Sequence, residues 1–218
     1  MSPKSEKMAG CPGYRLFGNR KRECEMNEKK FDVKKLHKLN NPDRLLDIPP
    51  EYIWRQLNIS NADVLVDIGA GTGFFSAPFL NLSNGGTLYA LDTSETMIEY
   101  METHVRPQNP GIVPLKMEES RVPLDDNTSD LVFMINLHHE LDNPPAILAE
   151  SHRILKNSGQ IFIVDWKKED MDEGPPRHIR WSPENVEAQM AAANFRDVRL
   201  FNNLAKHYLL VGEKAIQG

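Results

Sequence analysis

The chain has 218 residues, of which 40% are apolar, so it can build one α/β domain with a proper core and a modest appendage. Twenty-six basic residues stand against 31 acidic ones, a net charge of −5, which argues against nucleic acid as the main partner because such binding domains are usually basic. The apolar runs are far too short to cross a bilayer, and the opening MSPKSEKMAGCPGYRLFG lacks the apolar centre of a signal peptide, so a cytoplasmic protein with no membrane partner is expected.

Residues 1–41 are polar and rich in lysine and arginine, and read as a basic arm that can serve as a lid over the body at 42–218. A helix is expected near Lys29 to Leu39, with Phe31, Leu36 and Leu39 available to dock. Both cysteines, Cys11 and Cys24, fall in this arm and are expected as free thiols in a cytoplasmic setting. With His37 and His104 they make no recognised ligand spacing, so no metal site is expected. Short helices are predicted over Pro42–Asn58, the second opened by Pro49-Pro50, with Ile53, Trp54 and Leu57 as its apolar stripe.

From Asp63 the pattern alternates. Strands are predicted at Val64–Ile68, Thr87–Asp92, Gly111–Lys116, Ser129–Ile135 and Gln160–Asp165. Helical stretches separate them at Gly73–Leu82, Ser94–His104 and Asn143–Leu155, and a further helix follows at Ser182–Asn194. Ser94 is a candidate N-cap, and Asn157-Ser-Gly159 a turn that ends a helix. Val198–Phe201 and His207–Val211, separated by Asn202-Asn203, read as a closing hairpin at the sheet edge. Apolar strands alternating with helices imply a mostly parallel sheet covered on both faces.

The informative stretch is Val64-Leu-Val-Asp-Ile-Gly-Ala-Gly-Thr-Gly-Phe-Phe75, a buried strand that breaks into alternate glycines before a helix. Glycine lets backbone approach a ligand closely. The dinucleotide turn G-x-G-x-x-G is not matched, because the third glycine comes one place early and Phe74 stands where that pattern wants glycine. Asp67, two residues before Gly69, would repel a pyrophosphate and suits a ligand with an ammonium and a sulfonium, such as S-adenosylmethionine (SAM). Asp92, nineteen residues after Gly73 at the tip of the second strand, is placed for ribose hydroxyls.

In VDIGAGTGFF, LYALDTSETM, DLVFMINLHHELDNP and HRILKNSGQIFIVDWKKE, across about Ile53 to Lys214, the sequence resembles the class I SAM-dependent methyltransferases. It is closest to the small-molecule (type 11) branch that holds the ubiquinone/menaquinone C-methyltransferases. The resemblance implies a Rossmann-like, seven-stranded, mostly parallel sheet with an antiparallel last strand. It implies a cofactor site at Asp67, Gly69, Ala70, Gly71 and Gly73, at Asp92, Thr93 and Met97, and at Asn136 and Leu137. Glu118 stands where the family often has an aspartate near the adenine, although Lys116-Met-Glu-Glu119 departs from the usual Gly-Asp-Ala.

Methyl transfer is an in-line displacement that needs alignment and, for a protonated acceptor, a base. His138 and His139 after the fourth strand, and His178 in the loop after the fifth, are the candidates. In that loop Trp166 could stack on a substrate, and Lys167, Arg177 and Arg180 could pair with an anionic one, while Asp165 would structure the loop. The expected function is transfer of a methyl group from SAM to a small-molecule acceptor by a monomer or homodimer. The alternative is a SAM-binding sensor without turnover. A nicotinamide oxidoreductase is disfavoured by Asp67 and the glycine spacing, and a nucleic-acid amino-methyltransferase by the absence of Asn-Pro-Pro-Tyr after the fourth strand.

Overall fold

A computed structural model of the chain describes residues 36–215 apart from Asn58, Ser60 and Asn84. Cys11, Cys24 and most of the expected arm lie outside the described residues. Three short helices come first, α1 (Leu36–Leu39), α2 (Arg44–Asp47) and α3 (Pro50–Gln56). Then follow β1 (Val64–Ile68), α4 (Ser76–Leu82), β2 (Thr87–Asp92), α5 (Glu95–Tyr100), β3 (Ile112–Lys116), β4 (Ser129–Ile135), α6 (Pro144–Ile154), β5 (Leu155–Trp166), α7 (Pro183–Ala192), β6 (Phe195–Phe201) and β7 (His207–Lys214).

The strands form one sheet in the order β3-β2-β1-β4-β5-β7-β6. The pairs among β1 to β5 are parallel, and β7 runs antiparallel to both neighbours. The closing hairpin stands at the sheet edge, as expected. β7 lies between β5 and β6, and only β6 is at the rim. Their sequences agree with these places: β7 is buried almost throughout, whereas β6 exposes Arg196, Asp197, Arg199 and Leu200.

Successive strand residues face opposite layers, as the period of two requires. Leu65, Phe133, Phe162 and Leu209 face one layer, with Ile53 of α3 and Phe79 of α4. Val66, Met134, Ile163 and Leu210 face the other, with Ile147 and Leu148 of α6 and Val186 and Met190 of α7. The rings of Phe79, Phe133 and Phe162 pack 4.9–5.1 Å apart at the centre of the first layer.

Asn143 and Ser182 cap α6 and α7 with side-chain acceptors, each followed by proline in the first turn. Ser94 sits at the cap of α5 without a side-chain cap bond; Asp92 Oδ1 accepts its backbone N–H instead. The stretch predicted as one helix to His104 changes to a π-turn at Met101–Val105, where Tyr100 and His104 stack. The turn expected at Asn157-Ser-Gly159 is a bulge inside a longer strand: Leu155 already pairs with Ser129, and Ser158, at φ +61°, takes the left-handed conformation. Among the described residues no helix is long and apolar enough to cross a membrane.

Candidate functional site

The chain builds β2 and β3 on one side of β1 and then returns to place β4 on the other. Such a switch point opens a crevice at the carboxyl ends of the strands. Three glycine residues line it with positive φ, Gly69 at +73°, Gly71 at +57° and Gly73 at +74°. The loop they form is closed on itself. Gly69 and Ala70 N–H both donate to the Leu91 carbonyl at 2.9 Å, and Gly73 N–H donates to that of Ala70. Gly71 N–H donates to Asp92 Oδ2 at 2.9 Å, so Asp92 also ties the loop to β2.

Two of these glycines do different work. A Cβ on Gly69 would lie 2.6 Å from Leu137 Cδ1, while one on Gly71 would meet nothing closer than Leu39 Cδ1 at 3.9 Å. Gly69 is needed for packing, and Gly71 keeps a cradle open. Gly69→Ala is accordingly expected to destabilise the fold by about 3 kcal/mol, from left-handed strain plus overpacking. Gly71→Ala is expected to cost about 1 kcal/mol, from the strain alone, while still weakening cofactor binding. Urea unfolding of both variants beside SAM titration separates the two effects.

Asp67 is buried in the first layer beneath the loop, and Ser76 Oγ donates to its Oδ2 at 2.7 Å. The signal for Ser76 was a hydroxyl at the start of an otherwise apolar segment. Burial pushes the Asp67 carboxyl up to about 7; the Ser76 bond opposes the shift, the Asp92 charge adds to it and Arg44 opposes it. Burial also raises Asp92, against the backbone N–H groups of Ser94 and Gly71. Asp92 Oδ1 takes the Ser94 N–H and Oδ2 that of Gly71, and the Thr93 N–H acts on the same carboxylate.

At the tip of β4, Asn136 takes the left-handed conformation at φ +55°, and its side-chain oxygen is buried with no partner. Asn tolerates this conformation better than most residues. The turn lets Leu137 pack under Gly69 and starts the 3₁₀ turn His138–Glu140. His138 is wholly buried, its ring edge-on to Trp181 and both ring nitrogens without a hydrogen bond. Burial lowers its pKa, against the Asp165 charge.

His139 is bound by Asp165 of β5 twice. Its Nδ1 lies 2.7 Å from Asp165 Oδ1, and its backbone N–H donates to Oδ2 at 3.0 Å. Burial alone would lower this imidazole, but the hydrogen bonds to Asp165 and then Glu140 and their charges prevail and carry it up to about 9. Nε2 remains as the other ring nitrogen, 3.6 Å from Glu140 Oε1. Asp165 was expected to order the following loop; it holds a histidine 26 residues away instead.

That loop is organised by Arg180, which is buried and donates to the carbonyls of Lys167, Glu169, Glu173 and Pro175. A guanidinium so engaged is not available for a substrate anion. Trp166 packs on His207, Arg180 and Gly174 rather than standing out to stack. His178 is exposed on the turn Arg177–Ile179. Thr93 is half-buried beside Asp92, Met97 of α5 is 1% exposed, and Glu118 is exposed just after β3, bridged to Arg121.

The first two short helices close over the loop. Thr72 Oγ1 donates to Asn40 Oδ1 at 2.7 Å, and Asn40 Nδ2 donates to the Tyr100 hydroxyl at 3.1 Å. A cavity of about 520 Å³ at the opposite rim is lined by Lys214, Arg153, His152 and Asn127 among others. Its cations are already held, Lys214 by Asn127 and Leu155 and Arg153 by Glu150 and Asp126.

The crevice residues fit SAM. Gly71 leaves an open cradle, Asn136 has a buried acceptor without a partner, Asp67 is a buried carboxyl of the kind that suits an ammonium and a sulfonium, and Asp92 is a carboxyl of the kind that suits ribose hydroxyls. Comparison with known proteins agrees. A family profile described as a methyltransferase domain matches residues 66–163. A crystal structure of a SAM-dependent methyltransferase from Aquifex aeolicus is similar, at 33% identity and TM-score 0.77 over 84% of this chain and 98% of that one. The ubiquinone/menaquinone biosynthesis C-methyltransferase UbiE of Cupriavidus metallidurans is 27% identical over 124 residues, 53% of this chain and 50% of that protein. The chain thus spans about half the length of such curated relatives. An uncharacterized methyltransferase of Bacillus subtilis, YdaC, is 24% identical over 155 residues, 71% of this chain and 83% of its own. The glycine crevice with its two acids, the sheet order and the near-complete overlap with the Aquifex enzyme together show that this chain belongs to the class I SAM-dependent methyltransferases.

Proposed function

We propose that the protein methylates a small-molecule acceptor and that His139, oriented by Asp165, removes the acceptor's proton. The observation that carries this reading is the His139–Asp165 pair at the tips of β4 and β5. Carboxylates that hold one imidazole nitrogen fix the tautomer and direct the other nitrogen toward chemistry. Bound SAM supplies an electrophilic methyl group, and the protein's part is to align the acceptor and manage its proton. His138 is buried with no carboxylate bonded to its ring, and His178 is exposed with no carboxylate bonded to its ring among the described residues. A small acceptor is supported by the UbiE relatives, which are named for quinone biosynthesis, and by the acidic net charge.

The test is incubation of the full chain with SAM and a panel of small phenols, amines, thiols and quinone precursors. Release of S-adenosylhomocysteine (SAH) is followed, together with the mass of the acceptor. Turnover with at least one small class, tied to a methylated product, is expected. Turnover confined to protein or RNA would overturn the reading.

A further inference from the structure

We propose that His207, the first residue of β7, is a specificity-determining contact for the acceptor: it takes an uncharged polar group of that molecule, admitted between α2 and the loop after β5 when a clasp at Lys206 opens. The proposal rests on methylation of a small acceptor and names what that acceptor must carry.

The sheet places His207. β7 runs antiparallel to β5, so its first residue stands at the carboxyl ends of the parallel strands, where the crevice opens. In register it pairs with Trp166, the residue after Asp165, and Asp165 holds His139. His207 is thus one strand position from the partner of the proposed base. By the period of two its side chain shares a face with Leu209 and Val211, in the first layer. The ring lies 4.2 Å from that of Trp166 and the residue is 1% exposed.

Packing makes no use of its polarity. Among the described residues neither ring nitrogen has a hydrogen-bond partner. Buried polar groups are nearly always bonded, and leucine would fill an apolar layer with no unmet atoms. An imidazole kept here is explained by a ligand that completes it. Burial carries its pKa down to about 4; the charges of Asp165 and Asp47 oppose the shift, and those of Lys206 and Arg44 add to it. At neutral pH the ring is uncharged, with one N–H to give and one lone pair to accept with. It has no charge with which to hold a carboxylate, so it selects a neutral group such as a ketone, an amide or a hydroxyl.

The neighbouring residue supplies the way in. Lys206 Nζ donates to Asp47 Oδ2 at 2.9 Å and to Glu173 Oε2 at 2.8 Å. Asp47 ends α2 and Glu173 belongs to the loop after β5, so one ammonium ties two separate segments together beside His207. Arg180 gathers the Glu173 and Pro175 carbonyls with those of Lys167 and Glu169, which makes the loop one body that the clasp can hold or release. Ion pairs of partly exposed side chains are weak and break readily, so this closure opens at small cost.

The experiment titrates the full chain, loaded with SAH, with three phenols by calorimetry. 4-Hydroxyacetophenone carries a neutral carbonyl, 4-ethylphenol has a similar shape without it, and 4-hydroxybenzoate carries a charge. The ketone is expected to bind about 10-fold more tightly than the other two, and His207→Leu to abolish that preference while SAH binds within about twofold of the parent. With the ketone as acceptor the loss should fall on KM and leave kcat nearly unchanged. Lys206→Met is expected to speed association and dissociation of the ketone together by about 3- to 10-fold in stopped flow, with little change in Kd, as removal of a gate does. No preference in the unaltered chain, a preference that survives His207→Leu, or equal weakening of SAH would overturn the proposal, and unchanged rates in Lys206→Met would overturn the clasp. Absence of methyl transfer to every small acceptor would remove the underlying reading, a result distinct from these.

Discussion

His139→Asn is expected to lower kcat by about 10²- to 10⁴-fold, the usual contribution of a positioned general base. Asparagine can still present an N–H near the place of Nδ1, so the Asp165 bond at 2.7 Å keeps a donor while Nε2 is lost. SAM and SAH affinity should stay nearly unchanged, because the cofactor crevice is built from β1, β2 and the Asn136 turn. The pH profile adds a check with a definite sign. With the His139 imidazole held up to about 9, it is mostly protonated at neutral pH and gains basic character as pH rises. Activity with a protonated acceptor should therefore climb through about pH 9. Asp165→Asn should move that limb to lower pH, since it removes the partner that opposes burial. Folding stability moves the other way. The ion pair contributes fully below the unfolded value of about 6.5 and is lost as pH rises through the folded value. A flat profile in the unaltered enzyme, or full activity in His139→Asn, would place the base elsewhere.

Asp67→Asn should separate stability from function. In the folded chain Asp67 titrates at about 7, and in the unfolded chain near 3.8. The folded form then binds the proton more tightly, so the bare protein loses stability as pH rises from about 4 to 7 and stays at the lower level above that. The difference corresponds to at most about 4 kcal/mol, and the amide, with unmet N–H groups, recovers only part of it. At pH 8 the variant should melt higher than the parent, and the advantage should shrink toward pH 5. Ser76 Oγ can still donate to the amide oxygen, so the local packing survives. SAM affinity should meanwhile fall about 100-fold, through loss of a charge partner for the ammonium in a buried site. A variant that melts lower at pH 8, or that binds SAM as well as the parent, would remove Asp67 from this role. The carboxyl is then a case of strain kept in the bare fold because the ligand relieves it.

Much of the cofactor crevice was legible because its parts are close in sequence. Asp67 and the glycines lie within seven residues, and Asp92 ends the next strand, so spacing alone encodes them. The glycine strand and its four parallel partners were located because apolar runs between breakers do not depend on distant partners. The departures arose where a distant residue decided the outcome. The edge hairpin was legible, but which of its strands is outermost was decided by burial: β7 is covered between β5 and β6, while the charges of β6 suit an edge. Arg180 turned from a candidate substrate contact into the centre of its own loop because carbonyls of Lys167, Glu169, Glu173 and Pro175 converge on it.

From the sequence by itself came the α/β class, the strand positions and the cofactor chemistry, with Asp67 and Asp92 placed at the tips of β1 and β2. These follow from short-range spacing and from the charge a carboxyl must present to a sulfonium ligand. Tertiary structure alone decided which histidine has a partner, which arginine stands over the glycine loop and which glycine is a packing requirement rather than a cradle. His139 and Asp165 are 26 residues apart and meet only because β4 and β5 lie side by side. Arg44 precedes β1 by twenty residues and meets Phe75 where the segment before β1 folds back, with Asn40 bound to Thr72 and Tyr100. Side-chain direction and burial are set by the packed whole, and no local pattern carries them.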